Sequence, residues 1–199
     1  MRMPGEQRRT QLLGVASEMF ADRGFHKTSM QDLASAAGVT KPVLYQHFAS
    51  KRALYIEALG REGSHLLADL RSATSSTSLG RERVERGFMA YFHWVTYNPA
   101  GFRLLFSATM RNDPEFASII DQILSDAVDA VVPLIDIKLP TVHRSVIANA
   151  IVGLAEATSR RGLADGGVLH DAEELSRWLA EFAWFGLRGI RPEETAATQ

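Results

Sequence analysis

The sequence of 199 residues contains no cysteine, which excludes disulfide bonds and thiolate metal sites. It also has no uncharged apolar run of about 18 residues, the length that a membrane-spanning helix requires. The opening residues 1–9 are not followed by the apolar core of a signal peptide. With 46% hydrophobic and 23% charged residues, the composition is that of an ordinary globular chain. We expect a cytoplasmic protein with no membrane partner.

Catalytic motifs are missing as well. The sequence has no HExxH, GxSxG or Walker loop, and its glycines between residues 162 and 167 lack the GxGxxG spacing. The six histidines are scattered, and His170 with Glu173 has the pattern of ordinary helix surface rather than of a metal site. We expect neither an enzyme nor a resident metal or cofactor.

Charge is unevenly distributed along the chain. Residues 1–55 hold eight Lys or Arg against four Asp or Glu, a net charge of +4. The remaining residues hold 14 basic and 19 acidic side chains, a net charge of −5. A basic terminal part is suited to contact a polyanion, whereas the acidic part would be repelled by the same surface.

Apolar residues recur at helical spacing throughout, and no stretch alternates as a strand would. The pattern predicts an all-α protein of about nine helices, with Asn98, Pro99 and Gly101 ending the fifth. We assign residues 1–50 to a three-helix helix-turn-helix domain and 51–191 to a helical ligand-binding and dimerisation domain. The polar residues 192–199 are expected to be a disordered tail.

The stretch from Thr28 to Lys51 is the predicted functional centre, because it has the signals of two short helices joined by a tight turn. Ser29 and Asp32 form a capping-box pair, and Gly38 allows the first helix to end sharply. Thr40 can cap the second helix, with Pro42 in its first turn.

The second short helix has distinct faces. At about 100° per residue, Leu44 and Phe48 point together toward the domain core, while Gln46 points outward. Such an exposed face can enter the DNA major groove. The alternative is a packed helical hairpin with a solvated outer face.

The segment from Val15 to Tyr55, which contains the motifs GVTKPVLYQHF and SK, resembles the DNA-binding domain of TetR-type transcriptional regulators. The resemblance implies a homodimer that binds double-stranded operator DNA, with an all-helical ligand-binding domain. It also implies contacts of Lys41, Pro42, Val43 and Gln46 with bases. The residues implied to approach phosphates are Thr28, Ser29, Thr40, Tyr45, His47 and Lys51. Shorter sequence segments, among them GFRLLF and DPEFASII, are similar to those of the TetR-type subgroup that activates fatty-acid synthase genes and senses long-chain acyl-CoA.

A set of apolar side chains on three successive helices is suited to line a site for an acyl chain or another small apolar effector. Its members are Phe88, Tyr91, Phe92, Val95, Phe102, Leu105, Phe106, Met110, Ile119 and Ile123. Alternatively, these residues form plain core. Glu156 could bind a ligand, pair at an interface or lie exposed, and Arg103 could meet an anionic head group or be solvated.

The last two long helices are apolar on more than one face, which favours a four-helix bundle with a second subunit. The predicted dimer-interface residues are Ile147, Ile151, Leu154, Trp178, Phe182 and Phe185, with Gly153 and Gly186 permitting close approach. Alternatively, the two helices form the chain's own core.

Two classes of function remain: a dimeric DNA-binding regulator, and a lipid-binding or sequestering protein without sequence-specific DNA binding.

Overall fold

The computed structural model describes residues 5–106, 112–135, 138–164 and 171–190, without the side chains of residues 163 and 164. Within these ranges the chain forms nine α-helices, with a 3₁₀ turn, η1 (Val132–Leu134), after the seventh and with no strand. The helices are α1 (Gly5–Arg23), α2 (Met30–Ala36), α3 (Lys41–His47), α4 (Lys51–Ser75), α5 (Gly80–Tyr97), α6 (Pro99–Phe106), α7 (Pro114–Val131), α8 (Thr141–Ala164) and α9 (Ala172–Gly189). None of the described helices is both long enough and apolar enough to cross a membrane. The all-α prediction is confirmed.

The chain divides into two compact units. The first unit comprises Met1–His65 with Asn98–Ile123, and the second comprises Leu66–Tyr97 with Leu124–Gln199. The predicted boundary after residue 50 separates a DNA-binding domain from a ligand-binding domain by function, and it stays a prediction. The predicted tail lies outside the described residues.

An aromatic cluster forms part of the core of the first unit. Phe20 meets the ring of Tyr55 edge-on at 5.0 Å between centroids, and Tyr55 lies 4.6 Å from the ring of Phe116. Phe25 contacts both Tyr55 and Phe116 at 5.1 Å. Burial raises the pKa of Tyr55 well above its ordinary value. This cluster joins α1, α4 and the first turn of α7 around one core.

A buried carboxylate lies between α1, α4 and α6 in the first unit. Glu62 accepts hydrogen bonds from the Ser17 hydroxyl at 2.8 Å and from Asn98 Nδ2 at 2.6 Å. Asn98 Oδ1 in turn accepts from the backbone N–H of Gly101 at 3.0 Å and so caps α6. Helix α5 ends at Tyr97, as predicted, and Pro99 and Gly101 lie in the first turn of α6.

The second unit is organised around α5 packed on α9. On α5, the rings of Phe88 and Phe92 stack with centroids 6.3 Å apart, and Phe92 is fully buried. A second apolar cluster joins Ile135, Ala148 and Leu187. Pro133 lies in the 3₁₀ turn η1 that follows α7, because proline cannot donate the hydrogen bond that would continue the α-helix.

Candidate DNA-binding surface

Helix α2 and the turn after it are defined by local hydrogen bonds. The Ser29 hydroxyl accepts from the backbone N–H of Asp32 at 3.1 Å, and Asp32 Oδ2 accepts from the backbone N–H of Ser29 at 3.0 Å. The Ser29 hydroxyl also donates to Asp32 Oδ2 at 2.6 Å, and this bond, followed by the one from the Ser29 backbone N–H, lowers the pKa of Asp32. Gly38 has a φ of 65°, in the left-handed region that glycine adopts without strain. The predicted capping box is confirmed, and the chain reverses within a short turn.

Helix α3 begins after Thr40, whose backbone is extended, and carries Pro42 in its first turn. The Thr40 side chain occupies the capping position but forms no capping hydrogen bond to the described chain, so the expected hydroxyl cap is wrong. Pro42, whose ring fixes a helical φ, favours this start without it.

The two faces of α3 are oriented as predicted. Leu44 is 1% exposed and Phe48, directly after the helix, is 2% exposed. Pro42 and Gln46 are exposed on the opposite side, and Lys41 is exposed at the N-terminal end of the helix. Tyr45 is 45% exposed, with the Lys41 ammonium 5.9 Å from the centroid of its ring, and Val43 and His47 are half-buried. This face thus presents an ammonium, an amide, a phenol and a small apolar patch.

Arg9 on α1 supports the end of α3, a role that sequence reasoning missed. Its guanidinium binds Glu57 on α4 in a bidentate pair at 2.8 and 2.6 Å. It also donates to the backbone carbonyl of His47 and lies 4.5 Å from the centroid of the Phe48 ring. No local signal marks this pair, because Arg9 and Glu57 are 48 residues apart. Arg9 therefore holds the last turn of α3 against α1 and α4.

Thr28 and Lys51 are tied to the segment before α2. The Lys51 ammonium donates to the carbonyls of Phe25 at 2.8 Å and Thr28 at 2.9 Å, and it lies 4.3 Å from the Phe25 ring centroid. Thr28 is buried, and its hydroxyl donates to the carbonyl of Gly24 at 2.8 Å. Both side chains position α2 in the free chain. Their contact with phosphates stays a prediction, as it does for exposed Ser29 and Thr40.

The described members of the predicted effector-binding set are buried or half-buried and divide between the two units. Phe88, Tyr91, Phe92 and Val95 line α5 in the second unit. The first unit contains Phe102, Leu105, Phe106, Ile119 and Ile123, and Met110 lies outside the described residues. The rings of Phe102 and Phe106 are 4.6 Å apart.

The predicted dimer-interface residues also separate into two groups. Trp178, Phe182 and Phe185 on α9 are 61%, 69% and 64% exposed. On α8, Ile147 and Ile151 are half-buried against the Ile135 cluster, and Leu154 is half-buried too. The exposed large apolar residues of α8 are instead Val142 and Val146, which are not among the predicted interface residues. A Cβ at Gly153 or Gly186 would meet no described atom within 4 Å.

The two charged residues left open by the sequence form ion pairs. Half-buried Glu156 accepts a hydrogen bond from Arg160 one helical turn later. Arg103 on α6 is 4.0 Å from Asp22 on α1. Neither pair excludes a ligand contact, so both roles stay predictions.

A capped helix-turn-helix with an open outer face, at the start of an all-helical chain, defines the class of helix-turn-helix DNA-binding proteins. The model of the family described as bacterial regulatory proteins, tetR family, matches residues 12–58. A second family model, the tetracyclin repressor-like C-terminal domain, matches residues 80–186. The chain belongs to the TetR family of transcriptional regulators.

Individual relatives agree with this assignment. The chain is 35% identical over 191 residues to the HTH-type transcriptional activator FasR of Mycolicibacterium smegmatis, covering 95% of this chain and 87% of the relative. This match confirms the predicted similarity to the subgroup of activators to which FasR belongs. The HTH-type transcriptional repressor KstR2 of Mycobacterium tuberculosis is 35% identical over 117 residues, 58% of each chain. A solved TetR-like regulator from Rhodococcus sp. RHA1 has a TM-score of 0.77 and 29% identity, covering 95% of this chain and all of the other.

Proposed function

We propose that the chain acts in the cytoplasm as a homodimer that binds a palindromic operator through the helix Lys41–Phe48. An apolar effector, such as a long-chain acyl-CoA or fatty acid, changes its affinity for DNA. The exposed face of α3 is the observation that carries the proposal, because its donors and apolar groups are held outward while Leu44 and Phe48 anchor the helix.

The base-reading part of the proposal rests on Lys41, Pro42, Val43 and Gln46. The amide of Gln46 can pair with a base edge, and the ammonium of Lys41 can reach guanine or a phosphate. Tyr45 and His47 flank this face and are suited to phosphate contacts. The net charge of +4 over residues 1–55 supplies the long-range attraction that DNA binding needs.

Dimerisation through α8 and α9 is supported by the exposed aromatic side chains of α9. Trp178, Phe182 and Phe185 lie four and three residues apart, so they form one stripe along the helix. If a second copy covered all three, the six aromatic side chains would contribute roughly 15–20 kcal/mol of gross apolar stabilisation. Association costs about 4–15 kcal/mol, so the stripe is large enough to drive a dimer. A dimer would place two copies of α3 on half-sites about 34–36 Å apart.

The effector part of the proposal uses the aromatic row on α5. Phe88, Tyr91, Phe92 and Val95 are buried residues of one helix and offer an apolar lining for a chain-like molecule. The relationship to FasR is consistent with an acyl-CoA effector. One relative is named a transcriptional activator and another a transcriptional repressor. The proposal therefore does not assign whether the chain activates or represses transcription.

Selection of an operator from random duplexes, followed by binding to α3 variants, tests the proposal. Tyr45→Ala should weaken binding to every sequence by a similar factor, because phosphate contacts carry no base information. Gln46→Ala should reduce discrimination at one base position by roughly tenfold, since a bidentate base contact contributes about 1–3 kcal/mol. Tyr97→Ala, at a residue 82% exposed in the second unit, is the matched control and should bind normally.

Two results would count against the proposal. If Tyr45→Ala and Gln46→Ala both left operator affinity unchanged, the assigned orientation of α3 would be wrong. If selection yielded no sequence that is preferred over random duplex, the lipid-binding or sequestering alternative would replace DNA regulation. Mass spectrometry of small molecules released from the purified protein tests the effector class separately, and a charged hydrophilic metabolite would reject the apolar assignment.

A further inference from the structure

Helix α7 begins inside the compact unit that holds the helix-turn-helix. The first unit contains Met1–His65 together with Asn98–Ile123, so it takes in α6 and α7 as far as Ile123. The family model for the DNA-binding part matches residues 12–58 and ends well before this segment. The start of α7 is acidic, with Asp113 and Glu115. Two acids in a DNA-binding unit weaken its attraction for DNA unless they have another role there.

Arg52, in the first turn of α4, binds both acids at the start of α7. Its Nη1 and Nη2 donate to the two carboxylate oxygens of Asp113 at 2.9 and 2.7 Å, and its Nε donates to Glu115. All three guanidinium nitrogens therefore donate to carboxylates. The guanidinium carbon also lies 4.5 Å from the centroid of the Phe116 ring. The hydrogen bonds to Asp113 and then to Glu115 raise the pKa of Arg52, and the bond from Arg52 lowers the pKa of Asp113.

Asp113 is held in place because it is also the N-terminal cap of α7. Its Oδ1 accepts from the backbone N–H of Glu115 at 3.1 Å and from that of Phe116 at 3.4 Å. A carboxylate already tied to a helix end loses less conformational freedom on binding a guanidinium than a freely rotating one does. The pair with Arg52 is therefore better ordered in advance than an ordinary surface ion pair.

The neighbouring residue, Lys51, ties the same turn of α4 to the segment before α2. Its ammonium donates to the carbonyls of Phe25 and Thr28 and lies 4.3 Å from the centroid of the Phe25 ring. The rings of Phe25 and Phe116 in turn contact each other, with centroids 5.1 Å apart. The first turn of α4 is thus connected to the start of α2 through Lys51 and to the start of α7 through Arg52.

Arg52 could in principle bind a phosphate instead, as arginines of DNA-binding proteins do. In the free chain its guanidinium binds one carboxylate with two nitrogens and a second carboxylate with the third. These charge-assisted bonds would have to break before Arg52 met DNA. The geometry therefore favours a tie within the unit over a phosphate contact.

We infer that Asp113 and Glu115 are positioning residues for DNA binding: through Arg52 they hold the first turn of α4, and with it the start of α2, in the orientation that operator reading requires. The inference rests on the proposed binding of an operator through α3, and it adds residues outside the helix-turn-helix to that function. It predicts the opposite of simple electrostatics, because removing two negative charges should weaken operator binding.

Binding of the full-length protein to a selected operator and to random duplex of equal length tests the inference. Asp113→Asn with Glu115→Gln keeps the size of both side chains and, since asparagine caps helices as well as aspartate does, the start of α7. Its operator affinity should fall by roughly tenfold, because an exposed charge pair shifts a local equilibrium by up to about fivefold and a dimer contains two. Its affinity for random duplex should stay the same or rise, because nonspecific binding depends on charge rather than on the orientation of α3.

Two further variants separate position from charge. Glu6→Gln with Glu18→Gln, at exposed acids on α1 of the same unit, also removes two negative charges and should leave operator affinity unchanged or slightly raised. Arg52→Lys keeps the net charge but cannot bind two carboxylates with one planar fork, so it should lower operator affinity by about threefold or more. Adding Arg52→Lys to the Asp113 and Glu115 variant should cost less than about a further twofold, because all three substitutions remove the same tie.

Thermal unfolding followed by circular dichroism separates positioning from folding. Arg52, Asp113 and Glu115 are partly exposed, with 42%, 30% and 51% of their side chains accessible. The melting temperature of each variant should therefore stay within about 4 °C of the wild type. A large drop in melting temperature, with operator and random-duplex affinity falling by the same factor, would assign the tie to folding alone and overturn the inference.

The binding outcomes are distinguishable as well. Higher operator affinity in the Asp113 and Glu115 variant would overturn the inference, because the acids would then compete with DNA for Arg52. Unchanged operator affinity would also overturn it and leave DNA regulation standing, since the pair would be an ordinary surface contact. If the wild-type protein preferred no operator over random duplex, the proposed DNA regulation would fail and the inference with it.

Discussion

Replacing the buried carboxylate of Glu62 is expected to destabilise the first unit strongly. Its side chain is 3% exposed and accepts from two donors, the Ser17 hydroxyl and the Asn98 amide. The guanidinium of Arg61 is 3.7 Å away and 25% exposed, so water already solvates part of this cation. Glu62 thus serves mainly as an acceptor that connects α1, α4 and the cap of α6.

The expected magnitude follows from the groups left unpaired. Glu62→Ala leaves two donors without an acceptor, at about 1–3 kcal/mol for each buried group, so the free energy of unfolding should fall by roughly 2–5 kcal/mol. Glu62→Gln keeps the size and shape of the side chain. Its amide oxygen can accept from Asn98 and its amide nitrogen can donate to the Ser17 oxygen, so the loss should be about 1 kcal/mol.

Urea denaturation followed by far-UV circular dichroism measures the difference. Glu85→Ala, at an exposed acid on α5, is the control and should change stability by less than about 0.5 kcal/mol. The order of stability should be wild type, then Glu62→Gln, then Glu62→Ala. The reasoning is refuted if Glu62→Ala is as stable as the control, or if the glutamine variant is the less stable of the two.

Three further predictions concern packing, pH and assembly. Gly63→Ala should lower the free energy of unfolding by about 1–3 kcal/mol, because a Cβ there would lie 2.7 Å from the Cδ1 of Ile123. Urea denaturation measures this loss, and an unchanged stability would contradict the close approach. Asp32→Asn should destabilise α2 at neutral pH. Since the pKa of Asp32 is lowered, the deficit should shrink as the pH falls past its ordinary value of 3.8 and vanish below the lowered pKa; circular dichroism of both proteins across that range tests the sign, and a deficit that persisted below it would refute the prediction. Phe182→Glu should convert a dimer into a monomer in analytical ultracentrifugation, since it puts a charge at the centre of the exposed aromatic stripe, and an unchanged sedimentation coefficient would contradict the assigned interface.

Features encoded by adjacent residues were predicted well. The capping box of Ser29 and Asp32, the left-handed Gly38 and the burial of Leu44 all follow from spacing along one or two helical turns. The N-terminal cap of α7 was also predictable: Asp113 accepts from the backbone N–H of Glu115 at 3.1 Å. Such signals depend on local hydrogen bonds and helix geometry, which the sequence carries directly.

Features that depend on distant residues were missed. The pairing of Arg9 with Glu57, and the contact of Lys51 with the carbonyls before α2, have no local pattern. Asn98 separates α5 from α6 as predicted, but its role as a cap held by Glu62, 36 residues away, was missed. The full burial of Ser159 could not be predicted, because it depends on how α5 and α8 pack. Helix periodicity indicates which face is apolar, but it does not indicate which side chain meets it.

Affinity for a selected operator, compared with random duplex of equal length, tests the central claim most directly. The full-length protein should prefer the operator by about a thousandfold or more at physiological salt, the range of specific DNA-binding proteins. Binding to both duplexes should weaken steeply as salt rises, because each neutralised phosphate releases counterions. A preference near one at every salt concentration would contradict the account, whatever the protein's affinity for apolar ligands.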